Sequence, residues 1–107
     1  MIYGKPKYKK QKSQHISNER ITEPIECEIC NIRNAQEWHE LKSGKGFRSN
    51  CISIGFQLAL CRPCHKAWHE TYSKEHKNVI RANKQRELMD KGLTLKEFTD
   101  KIGENYL

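Results

Sequence analysis

The sequence predicts a small α+β domain, and three observations support that class. The chain has 107 residues, of which 36% are hydrophobic, so it forms one domain with a small core. Apolar residues alternate with other residues between positions 52 and 60, which is the period of a strand with one buried face. After position 65, apolar and aromatic residues recur at spacings of three and four, which is typical of a helix. A core this small needs a further source of stability.

Two pairs of cysteines supply that source. Cys27 and Cys30 form one C-x2-C pair, Cys61 and Cys64 form another, and a long segment separates them. Four thiolates are the ligand set of a tetrahedral structural zinc, and metal binding in zinc-finger peptides contributes about 10 to 16 kcal/mol. A mixed site that recruits a histidine and a pair of disulfides are the alternatives. We therefore expect a structural zinc on these four residues, with Cys51 left over as a buried or half-buried free thiol.

The predicted elements begin after the first cysteine pair. Residues 37–41 are short and extended in character, and residues 42–50 are rich in glycine and positive charge, which predicts a loop. The alternating stretch 52–60 predicts a strand that ends at the second cysteine pair. Pro63 suits a tight turn there, and a helix is predicted from His65 onwards.

The C-terminal part is predicted to be helical. The helix continues towards Met89, with or without a break near Ser73. Thr94 and Glu97 have the spacing of a capping box, which predicts the start of a last helix, and Gly103 is expected to end it. The two C-terminal residues, one aromatic and one aliphatic, should pack back onto the domain.

Positive charge is concentrated at the N-terminus. The chain carries 20 Lys and Arg against 13 Asp and Glu, a net charge of +7. Residues 1–24 hold six of the basic and two of the acidic residues, with little apolar periodicity, which predicts a basic, flexible arm. Such an arm is either a solubilising tail or a contact for a polyanion. Its candidate nucleic-acid-binding residues are Lys5, Lys7, Lys9, Lys10 and Lys12.

Neither a membrane protein nor an exported one is expected. No apolar run approaches the about 18 residues of a transmembrane helix, and the basic N-terminus lacks the apolar stretch of a signal peptide. A cytoplasmic protein keeps its thiols reduced, which favours metal ligation over disulfides. We expect three parts: the arm at 1–24, a zinc-stapled core at 25–72, and a helical extension at 73–107 that packs on the core.

Three histidines are spaced so that they could meet. His65 and His69 are four residues apart on the predicted helix, so both imidazoles lie on one face, an arrangement that often holds a divalent metal. His39 lies on the earlier extended segment, where closure of the cysteine pairs could bring it opposite that helix. A single histidine is more often structural, but the set of three favours a functional site. His15 and His76 are expected to be surface residues.

The order of these elements resembles that of the zinc-stapled HNH endonucleases, also called His-Me finger or ββα-metal endonucleases. The matching features are the extended segment with His39, the Gly-rich basic loop, the second strand, and the run Leu60-Cys61-Arg62-Pro63-Cys64-His65 followed by His69. The chain is most similar to small HNH-like proteins of phages and prophages, which often end in Gly-x-Asn-Tyr-Leu, as residues 103–107 do. The resemblance covers residues 27–107 and implies a ββα-metal core with C-terminal helices.

The resemblance also implies a role for each matching residue. His39 takes the position of the general base, a neutral imidazole that deprotonates the attacking water. His65 and His69 take the positions of ligands to a second divalent metal, which could be Mg, Mn, Ni or Zn. Three basic residues of the loop are expected on phosphates: Lys42, Lys45 and Arg48.

Two positions depart from the family's pattern. Trp38 stands where the family has a metal-binding His or Asp, and Asn50 is a weak counterpart of the family's middle Asn. Glu40 could supply the missing ligand, although a neighbouring strand residue points to the opposite face. Equally, His39 could itself be the third ligand, which would leave the base unassigned.

The sequence therefore predicts a metal-dependent DNA endonuclease that hydrolyses phosphodiester bonds in phage or prophage recombination or packaging, in the cytoplasm of a bacterial host. DNA is the expected partner, and a host or phage recombination protein is a further one. A catalytically weak or inactive nucleic-acid-binding protein of the same fold is the alternative hypothesis. A zinc-stapled module that binds another protein is the third.

Overall fold

The computed structural model describes residues 20–107, which form a small α+β domain with a two-stranded sheet and four helices. The predicted fold class is confirmed at this level. In chain order the elements are β1 (Glu37–Glu40), α1 (Phe47–Ile54), β2 (Gln57–Leu60), α2 (Arg62–Glu70), α3 (Lys74–Asp90) and α4 (Leu95–Ile102). Residues 1–19 lie outside the described range, and with them the five lysines of the predicted arm and His15.

The sheet is an antiparallel pair of β1 and β2. Glu37 lies opposite Leu60 and His39 lies opposite Leu58. All four residues of β2 are buried, whereas His39 is the buried residue of β1. The N–H of Glu28 donates to the carbonyl of Ala59 at 2.9 Å, so the turn that carries the first cysteine pair lies along β2. The sheet thereby brings the two cysteine pairs to the same end of the domain.

The structure corrects the prediction between β1 and β2. The sequence predicts a loop over 42–50 and a strand over 52–60, but α1 occupies much of both stretches and the strand is confined to β2. The buried residues of α1 are Cys51 and Ile54, so helical spacing decides how this segment packs. Gly55 adopts a φ of 84° and donates its N–H to the carbonyl of Cys51 at 2.9 Å, which ends α1 and lets the chain turn into β2.

The C-terminal helices follow their predicted boundaries closely. The helix predicted from His65 begins earlier, with Pro63 in the first turn of α2, where its missing N–H costs no hydrogen bond. The sequence left a break near Ser73 open, and the structure has one there: the Ser73 side chain accepts the N–H of His76 at 3.0 Å and caps α3. The capping box of α4 is confirmed in both directions, with distances of 3.1 and 2.9 Å between Thr94 and Glu97.

The C-terminal segment is held by one buried amide. Gln85 of α3 is fully buried, and its Nε2 donates to the side-chain oxygen of Asn105 at 2.8 Å. Its Oε1 accepts the N–H of Tyr106 at 2.8 Å, and the Tyr106 ring stacks on Phe56 with centroids 5.9 Å apart. The expected packing of the C-terminus holds for Tyr106 and is wrong for Leu107, which is 51% exposed.

The core joins the sheet to α1 and α4. Phe56 and Phe98 are fully buried and meet edge to face, with centroids 5.0 Å apart. The large aliphatic residues Leu41, Leu60 and Ile102 are fully buried as well. Within residues 20–107, no helix combines the length and the apolar character that crossing a membrane requires.

Replacing Phe98 by alanine should destabilise the domain by about 3 to 5 kcal/mol, because it removes a fully buried ring and leaves a cavity beside Phe56. Chemical denaturation of the zinc-loaded protein measures the change. Leu95→Ala on the same helix is the matched control, since Leu95 is 43% exposed and its loss should cost less than about 1 kcal/mol. Equal losses in the two variants would contradict this packing.

Candidate metal centres

The structure brings together the four cysteines of the two C-x2-C pairs. Their Sγ atoms all lie within 4.8 Å of one another, and Cys30 Sγ is 3.9 Å from Cys61 Sγ. A tetrahedral zinc with Zn–S bonds of about 2.3 Å places its sulfurs about 3.8 Å apart. A disulfide requires about 2.05 Å, and within residues 20–107 all the cysteines are free. The cluster therefore fits a structural metal ion such as zinc.

Two different local structures position these thiols. The first pair lies in a tight turn closed by Asn31, whose N–H donates to the carbonyl of Cys27 at 3.0 Å and whose φ is 56°. In the second pair, Cys61 is the N-cap of α2 and Cys64 lies in its first turn. The start of α2 therefore holds both thiols of the second pair within one helical turn.

The pKa values of the cysteine thiols also favour a bound cation. The backbone N–H groups of Arg33 and Ile32 lower the pKa of the Cys30 thiol to about 6. Burial opposes ionisation of Cys27, but backbone N–H donors outweigh it, so the pKa of that thiol is lowered too. Burial and the neighbouring thiols raise the pKa of Cys64 instead. A divalent cation among them would favour the thiolate form of all four, because a metal ion binds deprotonated thiols and offsets part of their negative charge.

Glu28, inside the first cysteine pair, ties the cluster to the rest of the domain. Its Oε2 accepts the N–H of Ala59 in β2 at 2.6 Å, and its Oε1 lies 3.0 Å from the ammonium of Lys84 in α3. Lys84 is 9% exposed; burial lowers its pKa, but Glu28 and Glu87 outweigh that effect and raise it. No local pattern in the sequence indicates this role of Glu28, since its partner Lys84 lies far along the chain.

A second cluster consists of three histidines. His39 on β1 meets His65 and His69 on α2, with ring centroids 4.9 and 5.3 Å from it, and the two rings on α2 are 5.0 Å apart. One nitrogen from each ring lies within 4.8 Å of the others. Nitrogens that share a metal at about 2.1 Å lie about 3 to 3.4 Å apart, so small ring rotations would close the set around an ion. The expected meeting of these residues thus occurs, while His76 lies on the surface.

His39 is the buried member of this cluster. It is 8% exposed, packs edge-on against Trp68 at 4.8 Å, and its buried Nε2 has no hydrogen-bond partner in the described part of the chain. Burial, with the neighbouring His65 and His69, lowers the pKa of its imidazole to about 3. A buried ring nitrogen without a partner costs about 1 to 3 kcal/mol. At neutral pH the His39 ring is therefore uncharged, and this is the form in which a histidine binds a divalent cation.

Glu37 is a member of this site that the sequence analysis missed. Its Oε1 lies 2.9 Å from Nδ1 of His65, and its Oε2 lies 3.9 Å from Nε of Arg62. Strand periodicity could have found it, because Glu37 lies two residues before His39 and shares its face of β1.

A cleft of about 420 Å³ opens beside the histidines. Trp38 and Glu40 line it, together with residues of the segment before α1. Arg48 borders it with a side chain that is 53% exposed and whose Nε is 3.4 Å from a carboxylate oxygen of Glu40. The exposed Lys45 lies on the same segment. The cleft thus lies between candidate metal ligands and a half-exposed positive charge.

The remaining predicted residues have other contacts. The Lys42 ammonium donates to the carbonyl of Ile102 at 2.9 Å and to the carboxylate of Glu104 at 2.7 Å, so it holds the C-terminal segment. The Asn50 amide donates to the carbonyl of Lys101 at 2.9 Å and links α1 to α4. Burial raises the pKa of the Cys51 thiol to about 11, so this residue stays a protonated core thiol.

Cys61→Ser should abolish zinc binding at the cysteine cluster and with it the cooperative thermal transition, because an ion held there would close the joint between the first turn and α2. Metal content by elemental analysis and melting by circular dichroism measure both effects. Cys51→Ala is the matched control, since Cys51 is equally buried but lies outside the cluster; it should retain one zinc per chain. Loss of zinc from the control, or its retention in Cys61→Ser, would refute the assignment.

Comparison with known proteins assigns neither centre. No family model, no curated protein and no solved structure matches this chain. The two clusters are therefore interpreted from their own geometry: a set of four thiols that fits a structural metal ion, and a set of three imidazoles beside a cleft bordered by arginine.

Proposed function

We propose that this protein is an HNH-type, metal-dependent endonuclease that hydrolyses phosphodiester bonds in DNA. The observation that carries the proposal is the convergence of His39, His65 and His69, with a buried and unpartnered nitrogen on His39. The order of β1, β2 and α2 around this cluster supports the proposal as well, because the family resemblance leads us to expect a histidine on the first strand and two on the helix.

Each residue of the proposed site has a chemical task. His65 and His69 hold the ion, which when bound supplies positive charge to the reacting phosphate and its leaving oxygen. His39 stays neutral at physiological pH because burial disfavours its charged form, so its lone pair is available there. In the proposed reaction it accepts the proton of the attacking water, although the same lowered pKa weakens it as a base. The guanidinium of Arg48 reaches the same cleft and would orient a phosphate through paired N–H groups.

His39 has a second possible task within the same reaction. If its unpartnered nitrogen completes the ligand set, the ion gains a third imidazole and the proton passes to another acceptor. The two tasks differ in one measurable property: a ligand contributes to metal affinity, whereas a base does not.

DNA is the proposed substrate because of the charge of the chain. The net charge is +7, Arg48 borders the cleft, and the exposed Lys45 lies in the segment before α1 that contributes to its lining. The five lysines of the N-terminal arm are the further proposed phosphate contacts. Lys42 is also a proposed phosphate contact, but its ammonium would first have to leave the carboxylate of Glu104.

Trp38 favours a second candidate function. It lines the cleft at the position where the resemblance leads us to expect a metal ligand, and an indole cannot ligate a metal. A protein that binds nucleic acid without cutting it would retain the charge and the zinc-stapled frame while losing that ligand. Phosphate binding needs only positive charge in the right place.

His39→Ala should lower the rate of nicking of supercoiled plasmid by at least about 100-fold, because it removes either the base or a ligand. The assay uses the zinc-loaded protein with added Mg, Mn or Ni, or with no added metal. His76→Ala is the matched control, since His76 is an exposed histidine on α3 and its loss should leave the rate unchanged.

Titration of the second metal into His39→Ala separates its two tasks. Unchanged affinity assigns the base, and weakened affinity assigns the third ligand. Equal nicking by wild type and His39→Ala, or no nicking with any metal, would reject the endonuclease and leave the binding protein as the better explanation.

Arg48→Ala should weaken DNA binding and lower the slope of log affinity against log salt by about 0.9, because one phosphate contact releases about that fraction of a counterion. Fluorescence anisotropy at several salt concentrations measures the slope. Arg86→Ala is the control, since Arg86 is an exposed residue of α3 that pairs with Asn83. A slope that falls equally in both variants would mean that binding depends on total charge and not on the cleft.

A further inference from the structure

We propose that Glu37 is the positioning residue of the histidine site: its carboxylate holds His65 by Nδ1 and so determines which ring nitrogen is available to a metal. The observation is the contact of 2.9 Å between Glu37 Oε1 and His65 Nδ1. This inference rests on the proposed metal site and deepens it.

The backbone fixes Glu37 from two sides. As the first residue of β1 it pairs with Leu60 of β2, and on its other edge it bridges Arg20. Leu60 directly precedes Cys61, the N-cap of the helix that carries His65, and the N–H of His65 donates to the carbonyl of Cys61 at 2.9 Å. The Glu37 carboxylate and the His65 imidazole therefore extend from neighbouring parts of the sheet and of α2, so their contact does not depend on a flexible loop.

The hydrogen bond has a defined chemical consequence. A carboxylate only accepts, so Nδ1 of a neutral His65 must carry the proton and donate it. The lone pair then lies on Nε2, which is the nitrogen left for the ion. A carboxylate behind a ligating imidazole fixes the ring orientation and raises the basicity of the ligand nitrogen.

The Glu37–His65 pair is partly exposed and has a cationic neighbour. Its side chain is 40% exposed and that of His65 is 23% exposed, so the pair lies at the rim of the cluster, where water competes for the hydrogen bond. Arg62 approaches the second carboxylate oxygen at 3.9 Å, too far for a strong pair, and leaves Oε1 to the imidazole.

The test measures metal binding to the zinc-loaded chain, with Ni²⁺ as the probe, by isothermal titration calorimetry. Glu37→Ala should weaken Ni²⁺ binding by about 10- to 100-fold, since it removes the partner of a ligating histidine. Glu37→Gln should weaken it less, because its amide oxygen still accepts the Nδ1 proton but carries no charge. Glu75→Gln is the matched control: Glu75 is an exposed carboxylate in the first turn of α3, and its loss should change the affinity less than twofold.

A second readout follows the tautomer itself. Long-range ¹H–¹⁵N correlation spectra of the zinc-loaded protein without added Ni²⁺ should show the Nδ1–H tautomer of His65 in the wild type and in Glu37→Gln. In Glu37→Ala the Nε2–H tautomer should gain population. Retention of one zinc and of the wild-type circular dichroism spectrum shows that each variant is folded, and the isosteric Glu37→Gln keeps the test decisive if Glu37→Ala unfolds.

The outcomes separate this inference from the proposed nuclease. Unchanged Ni²⁺ affinity in both Glu37 variants, or an unchanged tautomer in Glu37→Ala, would overturn the role of Glu37 even if the protein cuts DNA. Weakened Ni²⁺ binding with no DNA cleavage by the wild type would support Glu37 and reject the nuclease. Absence of Ni²⁺ binding to the zinc-loaded wild type would overturn both.

Discussion

The convergence of the four cysteine thiols is the constraint on which the rest of the structure depends. It joins the turn at residues 27–31 to the start of α2, and the hairpin of β1 and β2 runs between these two points. Because His65 directly follows the last of these cysteines, the same joint places the face of α2 with His65 and His69 opposite His39. A metal ion at the thiols would thus stabilise the site of the histidines as well as the fold.

Both clusters keep their donor atoms ready for a cation, but for different physical reasons. The first cysteine pair is exposed to backbone N–H groups, which lower the thiol pKa values by stabilising the charged form. His39 is buried, and burial lowers its pKa by penalising the charged form. Thiolate and neutral imidazole are the forms that bind metals, so both environments favour the metal-binding form of the side chain.

The C-terminal segment is a structural part of the domain and shapes the surface around the cleft. Gln85 holds its backbone and side chains, and Lys42 reaches across from the end of β1 to Glu104. The lysine that the sequence assigns to phosphate therefore has an internal task in the structure. This leaves the exposed side chain of Arg48 as the described cation best placed to meet a ligand in the cleft.

The sequence by itself determined the features that depend on local spacing. Two C-x2-C pairs, the capping box of α4 and the i,i+4 placement of His65 and His69 need only the geometry of one turn or one helix. The alternating apolar residues before β2 predicted a strand, but residues 47–54 form α1, which packs against α4. Only the tertiary structure could pair Glu37 with His65 and Glu28 with Lys84, because these partners lie 28 and 56 positions apart and chain spacing carries no information on such contacts.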